Sequence, residues 1–537
     1  MEWRVCVPPA RRSNLQPVLR TLALTAAVAL AACRGDEVPA AAEPAEAPPA
    51  TAPPLPEVAE PSDPHRLVVS HGSELADAAL GEVESLDLAL AESDRLGRMT
   101  EVDAATACDG IDLAAIAGRA PRLRTLRISG CSGPIHDLAA LGSLSSLVLS
   151  ELALDASAIT ALSQLPQLTT LSLVRVSVPQ KPELDLEPLA KLSVREIVLS
   201  DLDRDSWLGH VLGLWPQTLT RATLAGSWAG HDAMTQLGKA EALEHLELRD
   251  TRVGNFSLNQ IKPLARLRAL VWIGDTFNDN SPLYFRDLGV TDFTCDCPRF
   301  GDGGLHTLRH CESVERLSLP RSQVTGPGLA ALGKLPALRE LVLHDRDLGA
   351  VGIEALRTIT TLRRLELSGV AADPSFAGLG GLVQLEQLRL HYADLEDRAA
   401  VELGRLVGLR DLDLARTQIS DVGLTHFAAL VNLRSLILSH TRVTNRGLSS
   451  LSGLAQLRQL YLDHTDVVDA AIVHLVPLRA LESLRLDHTL VTDAAIESLL
   501  QLAELQRLDV TGTVITAEGL ARLDTLPKLV DLAGGPG

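Results

Sequence analysis

The chain has 537 residues, 46% of them hydrophobic but only 3% aromatic, and a formal charge of −19. That length ordinarily means several globular domains, unless one short unit repeats. So acidic a balance excludes broad nucleic-acid binding and broad adhesion to anionic lipid, and so few aromatics predict a core of Leu and Ala.

The first 20 residues carry Arg4, Arg11, Arg12 and Arg20 against a single Glu2. An uncharged run, Thr21 to Ala32, then reads TLALTAAVALAA and stops at Cys33. Such a run is too short for a permanent bilayer-spanning helix. A basic start, a short apolar stretch and small residues before a cut predict a secretory signal over 1–32. Leu30-Ala31-Ala32-Cys33 resembles the lipobox of bacterial lipoproteins. The resemblance implies that Cys33 becomes the lipidated first residue and tethers the protein to a bacterial cell-envelope membrane. Arg34 stands where such lipoproteins often carry the Asp that retains them at the inner membrane. Its presence implies the outer membrane, with periplasmic or surface exposure left open. Residues 33–66 form the lipidated cysteine and a spacer rich in Pro, Ala and Glu, where proline blocks regular hydrogen bonding and favours extension.

From residue 67 one rhythm dominates. The second Leu of a Leu-x-x-Leu-x-Leu unit falls at Leu388, Leu412, Leu436, Leu460, Leu484, Leu508 and Leu532, in steps of 24. Backwards the series runs Leu365, Leu341, Leu317, Phe293, Leu270, Leu246, Ala222, Ile197, Leu171, Leu147 and Leu126, in steps of 21 to 26. Val102 and Leu86 mark weaker coils, giving about 20 coils over 67–533 and a short tail at 534–537. In each coil the leucines point inward from a short strand and the residues between them face outward. A Thr follows the strand at Thr251, Thr417, Thr441, Thr465, Thr489 and Thr513. Ser420, Thr444, Thr492 and Thr516 then cap a helix start. Eleven residues after the marker stand Gly304, Gly328, Gly352, Gly423, Gly447 and Gly519, with Ala471 and Ala495 in phase. Leu424, Phe427 and Leu430 share one helical face and pack onto the strand leucines. Neither element buries its apolar side alone, so stacked coils make one continuous core.

Stretches such as TRVTNRGLSSLSGLAQLRQLYL (441–462) resemble ribonuclease-inhibitor-like and GALA-like leucine-rich repeats. The resemblance implies a curved α/β solenoid with parallel strands on the concave face and short helices on the convex face. It implies a binding scaffold and names no ligand.

The phase is disturbed at two places. Trp207 and Trp215 are inserted between Ser172 and Thr223, and residues 272–302 form either a drifted repeat or a functional loop. Cys108 and Cys131 fall on adjacent early coils, where a disulfide would tie down the weak end of an exported protein. Cys295 and Cys311 occupy core-facing positions, as apolar fillers or as a bridge, and Cys297 is expected to be more exposed.

The outward column just after the strands reads Asp345, Gly369, Tyr392, Arg416, His440, His464, His488, Gly512. Beside it lie Asp463 and Asp487, and one place earlier Tyr461 and Arg485. Tyr392, Arg416, His440, Tyr461, Asp463, His464, Arg485, Asp487 and His488 therefore form a candidate ligand-binding strip, since Tyr and Arg dominate binding hot spots. The bland alternative is repeat copying, because the phrase LDHT occurs twice at one phase. No metal is expected. Adjacent coils are about 4.8 Å apart, whereas zinc needs its nitrogens at about 2.0–2.1 Å, and no motif demands convergence. No catalytic or cofactor-binding motif is present, and signal, spacer and repeats consume the chain. The expected function is a non-catalytic scaffold for an unknown protein or peptide on the cell envelope, without nucleic acid. A structural envelope protein and a carbohydrate or cell-wall-binding module are the alternatives. The second is disfavoured because sugars want aromatic platforms and the chain has 5 Trp and 3 Tyr.

Overall fold

The computed structural model describes the strands at 66–69 and 85–88, Ala117, and residues 120–534 apart from 131–135, 179–184, 203–206, 345–346 and 371–375. The signal segment, Cys33, the spacer and the Cys108–Cys131 pair lie outside the described residues. Every described element belongs to one compact unit, Pro64–Gly537.

Among the described residues, 20 short strands form one sheet. Each pairs in parallel with the next in chain order. The marker residues lie opposite one another, from Leu67↔Leu86 and Leu86↔Leu126 to Leu412↔Leu436, Leu460↔Leu484 and Leu508↔Leu532. The coil expected at Val102 lies outside the described residues. Ser85–Leu88 pairs directly with Thr125–Ser129, and Leu67 supplies the first marker among the described residues.

The period-2 alternation explains the burial. In the strand Ser146–Ser150, Leu147 and Leu149 are inside and the residues between them are half-buried. Leu424, Phe427 and Leu430 are fully buried against this layer. Helices are about 10 Å across, and paired strands are about 4.8 Å apart. Each coil is therefore wider on its helical side. The stack curves with the strands inside, giving a curved α/β leucine-rich-repeat solenoid.

Two polar ladders fix the coil ends. Thr417, Thr441, Thr465, Thr489 and Thr513 are buried, and each hydroxyl donates to the carbonyl three residues earlier at 2.5–2.7 Å. On the helical side the first-turn acids Asp397, Asp421, Asp469 and Asp493 reach the next coil. There the backbone N–H and hydroxyl of Ser420, Thr444, Thr492 and Thr516 donate to their two carboxylate oxygens. The in-phase glycines make room for this clasp, since a Cβ at Gly447 would lie 2.6 Å from Asp421 Oδ1. Ala495 sits above the intact Asp469–Thr492 clasp, so a methyl is tolerated there. Where Val468 replaces the hydroxyl residue, Asn445 replaces the aspartate, and donor and acceptor change together.

The disturbed stretch 272–302 is core. Trp272, Phe277, Phe285, Phe293 and Phe300 are all buried. Phe277 touches the other four rings at centroid distances of 4.9–6.3 Å. Trp215 is buried as well, its Nε1–H donating to Leu189 O at 3.0 Å. Cys297 corrects an expectation: it is buried and disulfide-bonded to Cys295, with Cα atoms 5.2 Å apart. The strand runs through Asp296, and residues i and i+2 of a strand share a face. Both thiols therefore enter the core, and no bridge joins Cys295 to Cys311. Cys311 is a buried free thiol whose pKa burial pushes up to about 12, which keeps it protonated and inert.

Candidate ligand-binding strip

The strip is built on the turn that ends each strand. Four residues after the marker the backbone takes the left-handed conformation, with φ of 59° at Tyr392, 57° at Arg416, 56° at His440, 54° at His464 and 55° at His488. The same phase is held by Gly130, Gly226, Gly274, Gly369 and Gly512, and by Glu151, Arg175, Asp201 and Asp250. Glycine adopts this conformation freely, whereas a side chain there costs about 1–2 kcal/mol. Five successive coils nevertheless carry large side chains at this turn, bracketed by Gly369 and Gly512.

Because the register advances one coil per step, the five side chains stack. The Arg416 guanidinium lies 5.2 Å from the Tyr392 ring centre. Its Nη2 stands 3.1 Å from His440 Nε2. The His440 and His464 rings are 4.0 Å apart, and those of His464 and His488 are 4.4 Å apart and nearly parallel at 13°. Beside the column Arg485 covers the Tyr461 ring at 5.5 Å. It sits among three carboxylates, Asp487 at 3.2 Å, Asp463 at 3.9 Å and Asp509 at 4.0 Å.

The nine expected residues thus come together, but they divide into two layers. Tyr392 is 59% exposed, and His464 and His488 are exposed. Asp463 and Asp487 are not displayed as expected; they are 5% and 6% exposed and form the floor beneath the rings. Asp463 Oδ1 accepts from Ser439 Oγ at 2.5 Å. Burial raises the Asp487 pKa, with Arg485 opposing the rise. Burial also lowers the His440 pKa, assisted by the neighbouring Arg416 charge.

A second polar cluster, one coil before the column, was not singled out from sequence. Glu366 is 9% exposed on the strand face. His344 Nε2 lies 3.4 Å from its carboxylate, Arg389 Nη1 at 3.3 Å and Arg364 Nη2 at 3.8 Å. The hydrogen bond with His344 and the Arg389 charge outweigh burial and hold its pKa at about 2. Next to it, Asp413 raises the His391 pKa through a 3.5 Å contact. The signal available in sequence was a lone Glu in an outward strand position with Arg at the facing positions of its own and the next coil.

A Leucine rich repeat family model matches residues 407–467, which include Arg416, His440, Tyr461, Asp463 and His464. No curated protein matches the chain. Among solved structures, a leucine-rich-repeat protein of Leptospira interrogans is similar at 18% identity and TM-score 0.44, covering 78% of this chain and 98% of that one. The plant peptide hormone receptor RGFR1, in complex with RGF2, is similar at 19% identity and TM-score 0.41, covering 84% of this chain and 69% of that one. An internalin from Listeria monocytogenes is similar at 20% identity and TM-score 0.38, covering 56% of this chain and 83% of that one. These likenesses concern the fold alone.

Proposed function

We propose that the protein is a non-catalytic scaffold that binds a protein or peptide across the strand face of coils 388–508. The supporting observation is the column Tyr392–Arg416–His440–His464–His488. Its side chains stand at left-handed turns that favour glycine and stack on one another from coil to coil. An extended segment lying across the coils meets one such side chain about every 4.8 Å. Arg and Tyr supply the contacts that dominate most protein interfaces.

In the same proposal the signal 1–32 is removed, Cys33 carries lipid on the bacterial outer membrane, and residues 33–66 lift the repeats of 67–533 off the bilayer. Several acyl chains, each gaining roughly 0.8 kcal/mol per buried CH₂, hold such a tether firmly. The repeats are of the ribonuclease-inhibitor-like or GALA-like type, and Cys108 with Cys131 staples their first coils.

The test is capture from envelope extract with the native chain and with a variant carrying Tyr392, Tyr461, His464 and His488 changed together to Ala. Recovery of the partner is expected to fall at least about tenfold, the loss of roughly 1.4 kcal/mol or more. Equal recovery by both proteins removes the strip from the function.

A further inference from the structure

The centre of the column holds a donor set that coil spacing alone did not lead us to expect. His464 and His488 stack on each other, and one ligand atom from each of them and from Asp487 lies within 4.8 Å of the others. We propose that His464, Asp487 and His488 bind one divalent transition-metal ion of the zinc, copper or nickel class.

Two imidazoles and a carboxylate suit these borderline ions better than magnesium or calcium, which want more oxygens. Bonds of 2.0–2.1 Å place tetrahedral ligands about 3.4 Å apart. Closing the set requires shifts of about 1 Å, which exposed imidazoles reach by turning about a broad terminal torsion. The carboxylate is already held. Asp487 is 6% exposed, and Arg485 donates to its Oδ1 at 3.2 Å. Such outer contacts orient a ligand for its metal. Asp463, Asp487 and Asp509 surround the single Arg485 guanidinium, so the floor keeps an excess of negative charge. Gly512 lets the His488 ring pack closely on the next coil, since a Cβ there would lie 2.6 Å from Nδ1.

The neighbouring set, His440, Asp463 and His464, is equally close. Arg416 Nη2 stands 3.1 Å from His440 Nε2, however, and puts a positive charge beside that ring. His464 belongs to both sets, so one ion excludes a second of the same kind. Three protein ligands leave a fourth tetrahedral position for water or a donor from outside the chain.

The test is titration of the untagged full chain with Co(II), read by its visible absorption, and with Zn(II), read by calorimetry. One ion per chain is expected. His464→Ala and His488→Ala should each weaken it at least about tenfold, and His440→Ala by less than about threefold, given the 10–100-fold cost of disturbing a metal site. Thermal melts check that each variant folds, and His488→Gln serves as a second substitution of closer size. Failure to bind either ion overturns the proposal. So does binding unchanged by His464→Ala or His488→Ala. Loss in His440→Ala with His488→Ala unaffected overturns it as well, by moving the ion to the neighbouring set. Metal binding is read without a partner, so its failure leaves the strip's proposed role in partner binding to its own test.

Discussion

Phe293→Ala is expected to lower the stability of the repeat unit by about 3–5 kcal/mol, in the range for large-to-small substitutions of buried aromatics. Phe293 occupies the marker position of its coil, where other coils carry Leu, and packs at 5.2 Å from Phe285 and 5.4 Å from Phe277. Truncation empties a site whose neighbours are also rings and which therefore collapses poorly. In a solenoid each coil contacts only its neighbours, so stability is a sum of local interfaces. Weakening this one should split a single urea transition into two, one for each side of the break. Phe293→Leu, which restores the marker of other coils, should cost less. A single unbroken transition shifted by under about 1 kcal/mol would contradict the assignment of this stretch to the core.

Glu366→Gln is expected to destabilise the protein at pH 7, and the gap should close in acid. The folded carboxyl has its pKa held at about 2, below its ordinary 4.5, by His344 and Arg389. A depressed carboxylate contributes stability that is complete above the unfolded pKa and is lost as pH falls through the folded one. The contribution is therefore whole at pH 7, starts to fade near pH 4.5, and is gone below about pH 2. At about 1.4 kcal/mol per pKa unit, and allowing for solvent screening, it amounts to about 1–3 kcal/mol. His391 runs the other way. Its pKa is raised by Asp413, so its contribution is complete below its ordinary 6.5 and is lost as pH rises through the folded value. Urea melts of native and Glu366→Gln protein at pH 7, 4.5 and 3 read the closure. A gap that stays constant across this series would show that the glutamate acts through shape alone.

The leucine period carried most of the architecture. A one-residue slip would turn each Leu from core to solvent, so the register of Leu388, Leu412 and Leu436 follows from their spacing. The Phe-rich stretch was ambiguous because Phe277, Phe285, Phe293 and Phe300 replace the aliphatic residues of the repeat, and their contacts with one another exist only in three dimensions. Cys297 stands four residues after its marker, but it is not among the left-handed residues that other coils carry at that turn, and its thiol is buried. The strip's membership was legible from phase. Its layering was not, because Asp463 and His464 are adjacent in sequence and only the left-handed turn decides which one is buried. The recurrence of Gly369 and Gly512 at the phase of Tyr392 and His488 was the available sign of that turn.

The central claim is that ligand meets the strand face, and site-specific photo-crosslinking tests it most directly. A photoreactive residue is placed at Arg416 on the column. A second is placed at Val422, which is 63% exposed on the helix Asp421–Leu424. Illumination in envelope extract should link the partner from position 416 and leave position 422 unlinked. A crosslink from 422 alone, or equal yield from both positions, would contradict the claim.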